Sequence, residues 1–164
     1  MLSRCLFQIA LILCLSGAAT AQVNIGFGGT PHDSSQSVEV TSDSLSIDQT
    51  TGQATFIGNV IVVQGDMRMA ADQVQVIYSD VDGSREVNEL LATGGVLITR
   101  GVDAAEGSEA VYTVGTSMLT MTGNVLVTQG SSTIAGERMV VDMSTGNGTM
   151  GGRVRTILDT GASE

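Results

Sequence analysis

No lysine and no tryptophan occur in the 164 residues, which hold one proline, one histidine and 3% aromatic residues. A lone histidine, His32, leaves no second imidazole for a catalytic relay, and no Gly-x-Ser-x-Gly elbow accompanies the many serines. Positive charge is scarce: seven arginines against 17 acidic residues give a net charge of −10, which repels phosphate backbones and makes nucleic-acid binding improbable. Both cysteines, Cys5 and Cys14, lie near the amino terminus. The longest apolar run, Cys5 to Leu15, is about eleven residues, short of the roughly 20 that a spanning helix needs.

That run, preceded by Arg4 and followed by Ala19-Thr20-Ala21, has the form of a secretory signal peptide over residues 1–21, with cleavage between Ala21 and Gln22. Lipid attachment at Cys14 is disfavoured because Leu13 before it is not small. Cleavage removes both thiols and so excludes a disulfide scaffold, a cysteine-ligated metal and a cysteine nucleophile. Residues 22–37, rich in Gly and Ser, are expected to form a flexible leader with His32 as a surface residue, and residues 159–164 a disordered tail.

What the chain does have is an internal repeat. Gly58-Asn59-Val60 recurs as Gly94-Gly95-Val96, Gly123-Asn124-Val125 and Gly152-Arg153-Val154, and the first three are followed by Gln64-Gly65, Arg100-Gly101 and Gln129-Gly130. Asp43, Ser108 and Glu137 stand 15 residues before their glycines, whereas Asp72 stands 22 before Gly94. A seven-residue insertion in the second unit, around the turn-rich stretch Ser79–Ser84, accounts for the difference. Counted from these four starts, offsets +2 and +4 hold Leu45 and Ile47, Val74 and Val76, Ala110 and Tyr112, Met139 and Val141. Offsets +11 and +13 hold Ala54 and Phe56, Leu90 and Ala92, Leu119 and Met121, Gly148 and Met150. Offsets +17 and +19 hold Val60 and Val62, Val96 and Ile98, Val125 and Val127, Val154 and Thr156. Only Gly148 and Thr156 are not apolar, and the spacing of two marks strands with one buried face. Each unit of about 29 residues is expected to form about three short strands, with turns at Thr51-Gly52, Gly58-Asn59 and Gln64-Gly65. The prediction is an all-β domain over residues 38–158, in which four units stack into one sheet or two facing sheets.

Taken together, Asp43-Ser44-Leu45-x-Ile47-Asp48, Ala54-Thr55-Phe56-x-Gly58-Asn59-Val60-x-Val62-x-Gln64-Gly65 and Ala70-Ala71-Asp72-x-Val74 resemble the OstA-like periplasmic lipopolysaccharide-transport proteins, the LptA family. The pattern recurs at Leu119–Gly130 and Ala135–Arg138, and the likeness runs from about Val38 to Leu158, in a chain shorter and more acidic than the family pattern. The resemblance implies an open, twisted β-jellyroll in the periplasm whose inner face binds lipopolysaccharide acyl chains and contributes to outer-membrane assembly, with no enzymatic step and no cofactor. On that reading the acyl-chain face is the apolar set above without its alanines, Gly148, Val154 and Thr156. The edge strands, marked by Val38 and Val40 at one end and by Thr149, Val154 and Leu158 at the other, meet an inner-membrane anchored partner and an outer-membrane translocon, or further copies head to tail. Any energy comes from a partner ATPase.

The residues by themselves also permit a plainer reading, a secreted structural or adhesive repeat protein with a closed core, since every sheet buries a face. A sheath for lipid has a clear physical purpose: an exposed acyl chain of about twelve carbons costs on the order of 9 kcal/mol at roughly 0.8 per methylene. Ala54, Ala92, Ala110, Met121, Met139 and Met150 leave room and adaptability for such chains. Asp80 and Asp82 beside Gly83 read as a turn or as a weak cation site that lacks the further ligands of a calcium loop, and no metal is expected. Arg68, Arg100, Arg138, Arg153 and Arg155 read as solubilising surface charge or as contacts for phosphates.

Overall fold

A computed structural model describes residues 23–29 and 31–158; the expected signal peptide with its Ala21–Gln22 cleavage site and the tail 159–164 lie outside them. The described residues form eleven strands: β1 (Val23–Gly26), β2 (Glu39–Thr41), β3 (Ser44–Ile47), β4 (Ala54–Gln64), β5 (Met67–Val81), β6 (Ser84–Arg100), β7 (Asp103–Thr113), β8 (Met118–Gln129), β9 (Ser132–Asp142), β10 (Asn147–Gly151) and β11 (Arg155–Ile157). They make one antiparallel sheet in the order β1-β10-β9-β8-β7-β6-β5-β4-β2, with β3 also on β4 and β11 also on β9.

The Gly-Asn pairs are not turns between strands, as the sequence suggested. They are bulges inside continuous strands, where the pairing register shifts at Ile57/Val60, Thr93/Val96 and Thr122/Val125. Gly58 and Asn59 have φ of 82° and 46°, Gly123 and Asn124 82° and 52°. The glycine is required twice over, because a Cβ on Gly58 would stand 2.5 Å from the Asp43 carboxylate and one on Gly123 2.5 Å from Ser108 Oγ. Gly94 and Gly152 meet Asp72 and Glu137 in the same way. The repeat starts and bulge glycines are thus one contact made four times, tightened by Asp43 N–H donating to the Gly58 carbonyl at 2.9 Å and Asn59 Nδ2 to Asp43 Oδ2 at 2.8 Å.

At each bulge the sheet folds over, so that side chains from the two halves of the strands meet. Tyr112 Oη, in the first half of the domain's cross-section, donates to Gln64 Oε1 in the other at 3.0 Å. Between these two walls lies a single apolar core from Ile25 to Met150. At the far end of the second wall, glycines with positive φ at the first loop position, Gly65, Gly101 and Gly130, make the two-residue hairpins that the sequence anticipated. The seven-residue insertion lengthens the β5–β6 hairpin and ends in Asp82-Gly83, both at positive φ, between the paired Val81 and Ser84. That is a type I′ turn, which accounts for Asp82 and Gly83 without an ion. Arg85 covers the Tyr78 ring at 4.3 Å and donates to the Gly52 carbonyl, tying the extension to the β3–β4 turn.

Where it is described, the expected leader packs against the sheet. Residues 23–26 add a strand to β10, Phe27 is 1% exposed and His32 5%. Glycine and serine there serve a packed path: Gly28 and Gly29 have φ of 84° and 63°.

Candidate functional site: the apolar interior, its seam and its edges

Three inward rows cross the sheet, each read directly from strand register. One runs Leu45, Phe56, Val74, Ala92, Ala110, Met121, Met139, Met150 and Val23. The next runs Ile47, Ala54, Val76, Leu90, Tyr112, Leu119, Val141, Gly148 and Ile25. On the opposite wall a third runs Val40, Val62, Met69, Ile98, Ala105, Val127, Ile134 and Thr156. Val60, Val96 and Val125 are buried beside the bulges. Of the expected face residues, those from Val60 to Met150 are buried, Phe56 is half-buried, and Leu45 and Ile47 are exposed, as are the outward-facing Ile57 and Leu97.

The rows do not end alike. From β5 to β9 they are sealed, with Leu90, Tyr112, Leu119, Met121, Met139 and Val141 all 0% exposed. At β3 they run out into solvent: Leu45 is 51% and Ile47 63% exposed, although both point along the inward rows. Beside them a cavity of about 170 Å3 is lined by Val38, Val40, Phe56, Val76, Tyr78, Val87 and Leu90. The interior is thus shut over most of its length and open at the amino-terminal edge.

A polar seam joins the tips of the two walls. Arg100 is 1% exposed, against the expectation of a solubilising surface arginine; it donates through Nε to Asp66 Oδ2 at 2.9 Å and through Nη1 to the Met143 carbonyl at 3.2 Å. His32 enters between the walls, its two ring nitrogens 3.2 Å from Asp66 Oδ1 and Gln64 Oε1, with its ring edge-on to Tyr112. Gln64 Nε2 donates to the Ser34 and Gln36 carbonyls at 2.8 Å each. Among the described residues every buried side-chain nitrogen and oxygen has a hydrogen-bond partner. Burial raises the Asp66 carboxyl, but hydrogen bonds from His32 and Arg100 and the Arg100 charge outweigh it and hold the group below its ordinary 3.8. Burial pushes the Tyr112 phenol up to about 12, against a smaller opposing pull from Ser117 and Arg100. Arg68, Arg138, Arg153 and Arg155 stay exposed.

The terminal edges differ from the expected pair. At the amino end β2 and β3, in the segment Val38–Asp48, pair only with β4 among the described residues and present a free edge. At the other end Thr149 is paired on both sides, with Val140 and with Asn24, because β1 covers β10. Gly148 breaks the apolar repeat for a packing reason: a Cβ there would stand 2.7 Å from Val141 and 3.0 Å from Ile25. Among the described residues only the second wall keeps an uncovered edge at that end, in β11, followed by Leu158 at 67% exposure; Val154 is half-buried between β10 and β11. Asp80 and Asp82 sit at the hairpin tip, and no group of three metal-ligating side chains gathers among the described residues.

The family described as LptA/(LptD N-terminal domain) LPS transport protein matches residues 39–147. An uncharacterized protein of Rhizobium meliloti (strain 1021) is 27% identical over 130 residues, 71% of this chain and 70% of that one. The lipopolysaccharide export system protein LptA of Escherichia coli (strain K12) is 34% identical over 80 residues, 49% of this chain and 43% of that protein, so the chain spans under half of that relative's length. Among solved structures, LptH, the LptA-homologous periplasmic component of the lipopolysaccharide transport device of Pseudomonas aeruginosa, superimposes with a TM-score of 0.69 at 20% identity, over 79% of this chain and 99% of that one. The likeness is one of fold, an open β-jellyroll, and the match over residues 39–147 adds the family: the chain belongs to the LptA and LptD N-terminal-domain family of lipopolysaccharide-transport proteins.

Proposed function

We propose that the protein is a periplasmic lipopolysaccharide-binding bridge, shielding acyl chains between its walls on the way from inner to outer membrane and joining its neighbours through sheet edges. The observation that carries this reading is the unfinished end of the interior. Leu45 and Ile47 belong to apolar rows yet face water beside the cavity at Phe56 and Leu90, and a closed structural core has no use for that exposure. An acyl chain laid along β3 continues both rows, with about 0.8 kcal/mol for each methylene it takes out of water. With a net charge of −10 the chain offers lipid phosphates repulsion, so apolar contact supplies the attraction. The role needs no chemistry from this chain. Partners follow from the same edges: an inner-membrane anchored component and an outer-membrane translocon with related domains, or further copies. Purifying the protein from its native envelope and identifying co-purifying lipid by mass spectrometry tests the reading. Lipopolysaccharide is the expected species, and a preparation with no bound lipid, or with phospholipid in its place, contradicts it.

A further inference from the structure

The strand β1 occupies a place that the repeat reserves for something else. Throughout the sheet, offsets +13 and +11 of one unit pair with offsets +2 and +4 of the next: Phe56 with Val74 and Ala54 with Val76, then Ala92 with Ala110 and Leu90 with Tyr112. By that rule Met150 and Gly148 at the end of the fourth unit should meet the +2 and +4 residues of a fifth. The residues found there are instead Val23 and Ile25. In another copy, the +2 and +4 residues left without a preceding unit are Leu45 and Ile47 of β3. Val23-Asn24-Ile25-Gly26 and Leu45-Ser46-Ile47-Asp48 share the same apolar–polar–apolar order and strand direction, so β1 stands, residue for residue, where β3 of a second copy would dock.

We infer that β1 is a built-in competitor for head-to-tail assembly: it fills the β10 edge of its own chain, and a second copy joins by pairing its β2–β3 edge with β11 and β10 and displacing β1. This rests on the proposal above that copies join through their edges. Three features make the displacement feasible. β1 has four residues and buries one of their side chains, Ile25, with Phe27 following it. Its connection to the rest of the leader holds three glycines, Gly26, Gly28 and Gly29, the latter two at positive φ, while His32 and the Gln64 contacts with Ser34 and Gln36 anchor the segment beyond. Lastly, β1 covers only the first wall. Among the described residues the outer edge of β11 is free on the second wall, where Thr156 continues the row that begins at Val40 and Val62. An arriving copy can therefore pair its β2 with β11 before β1 leaves, so the exchange starts from an open foothold. The contact is heterologous and does not close, and the competition from β1 sets the concentration at which growth begins.

Two variants test this in sedimentation velocity across a concentration series. Asn24 and Thr149 are direct cross-strand partners, so N24C/T149C, purified from the envelope and shown on non-reducing gels to hold an intramolecular bond, ties β1 to β10. Ile25→Asp places a charge in the seat of β1 and expels it, and circular dichroism verifies that the variant is folded. The oxidised pair is expected to stay monomeric where the reduced pair associates, and Ile25→Asp to associate at a concentration at least tenfold below the unmodified protein. Equal association of the oxidised and reduced pairs overturns the competitor while leaving edge-to-edge joining in place. Failure of every form, Ile25→Asp included, to associate overturns both. Neither outcome bears on lipid capture, which is measured separately.

Discussion

At the scale of single residues, the repeat is held by a side chain resting on a glycine. Because Gly58 has φ of 82° and faces the Asp43 carboxylate at 2.5 Å from an added Cβ, Gly58→Ala must both strain the backbone and push Asp43 away. It should lose about 1–3 kcal/mol in urea unfolding. Gly83→Ala, whose Cβ meets nothing within 4 Å, should lose less in the same measurement. The seam residues give the fold a pH profile. A carboxyl held below its unfolded value stabilises the fold above that value and loses the contribution as pH falls through the folded one, so Asp66 predicts thermal stability declining below pH 3.8. Asp66→Asn should remove that part of the slope. Tyr112 acts at the other extreme: a phenol raised to about 12 stabilises fully below its ordinary 10 and loses this as pH rises through 12. Tyr112→Phe should flatten the alkaline limb.

At the scale of elements, alternation made the inward rows readable, since a residue's face in a strand depends only on its parity. The strand count was not readable in the same way: Gly58-Asn59 has the composition of a hairpin turn, and only the pairing partner, with one residue opposite two, distinguishes a bulge. In the third row the expected Val62, Ile98 and Val127 alternate with three residues outside the expected set. Met69, Ala105 and Ile134 follow Gly65, Gly101 and Gly130 by the same four residues and are all buried, a signal present in the repeat. The seam was beyond reach, because Arg100 and His32 become core residues only when β6 and the leader meet across the fold, 34 positions each from Asp66. The hairpin extension follows local chemistry, with Asp82-Gly83 as its turn. Chelator should therefore leave the β-type far-UV circular dichroism spectrum unchanged, and a chelator-induced loss of structure would show that Asp80 and Asp82 hold an ion.

At the scale of the whole molecule, the two ends are unequal, and that inequality carries the function proposed here. At the carboxy-terminal end Ile25, Phe27 and Met150, each 5% exposed or less, close the first wall, with Val23 at 37% the one partly exposed row residue at that end of the wall. The amino-terminal end leaves Leu45 and Ile47 in water. An acidic chain that captures an anionic lipid through apolar contact should do so better as salt screens the repulsion, at least to the point where the Debye length falls to about 8 Å. Exposed apolar side chains alone do not single out a lipid site, because Ile57 on the outer face is 43% exposed as well. The decisive comparison is therefore between faces of the same strands. A photo-crosslinking amino acid placed singly at Leu45, Ile47 or Phe56 in growing cells should capture lipopolysaccharide, while the same group at Ser44, Ser46 or Ile57 should capture little. Equal labelling of the two sets, or labelling confined to the outer one, would contradict the lipid-holding interior.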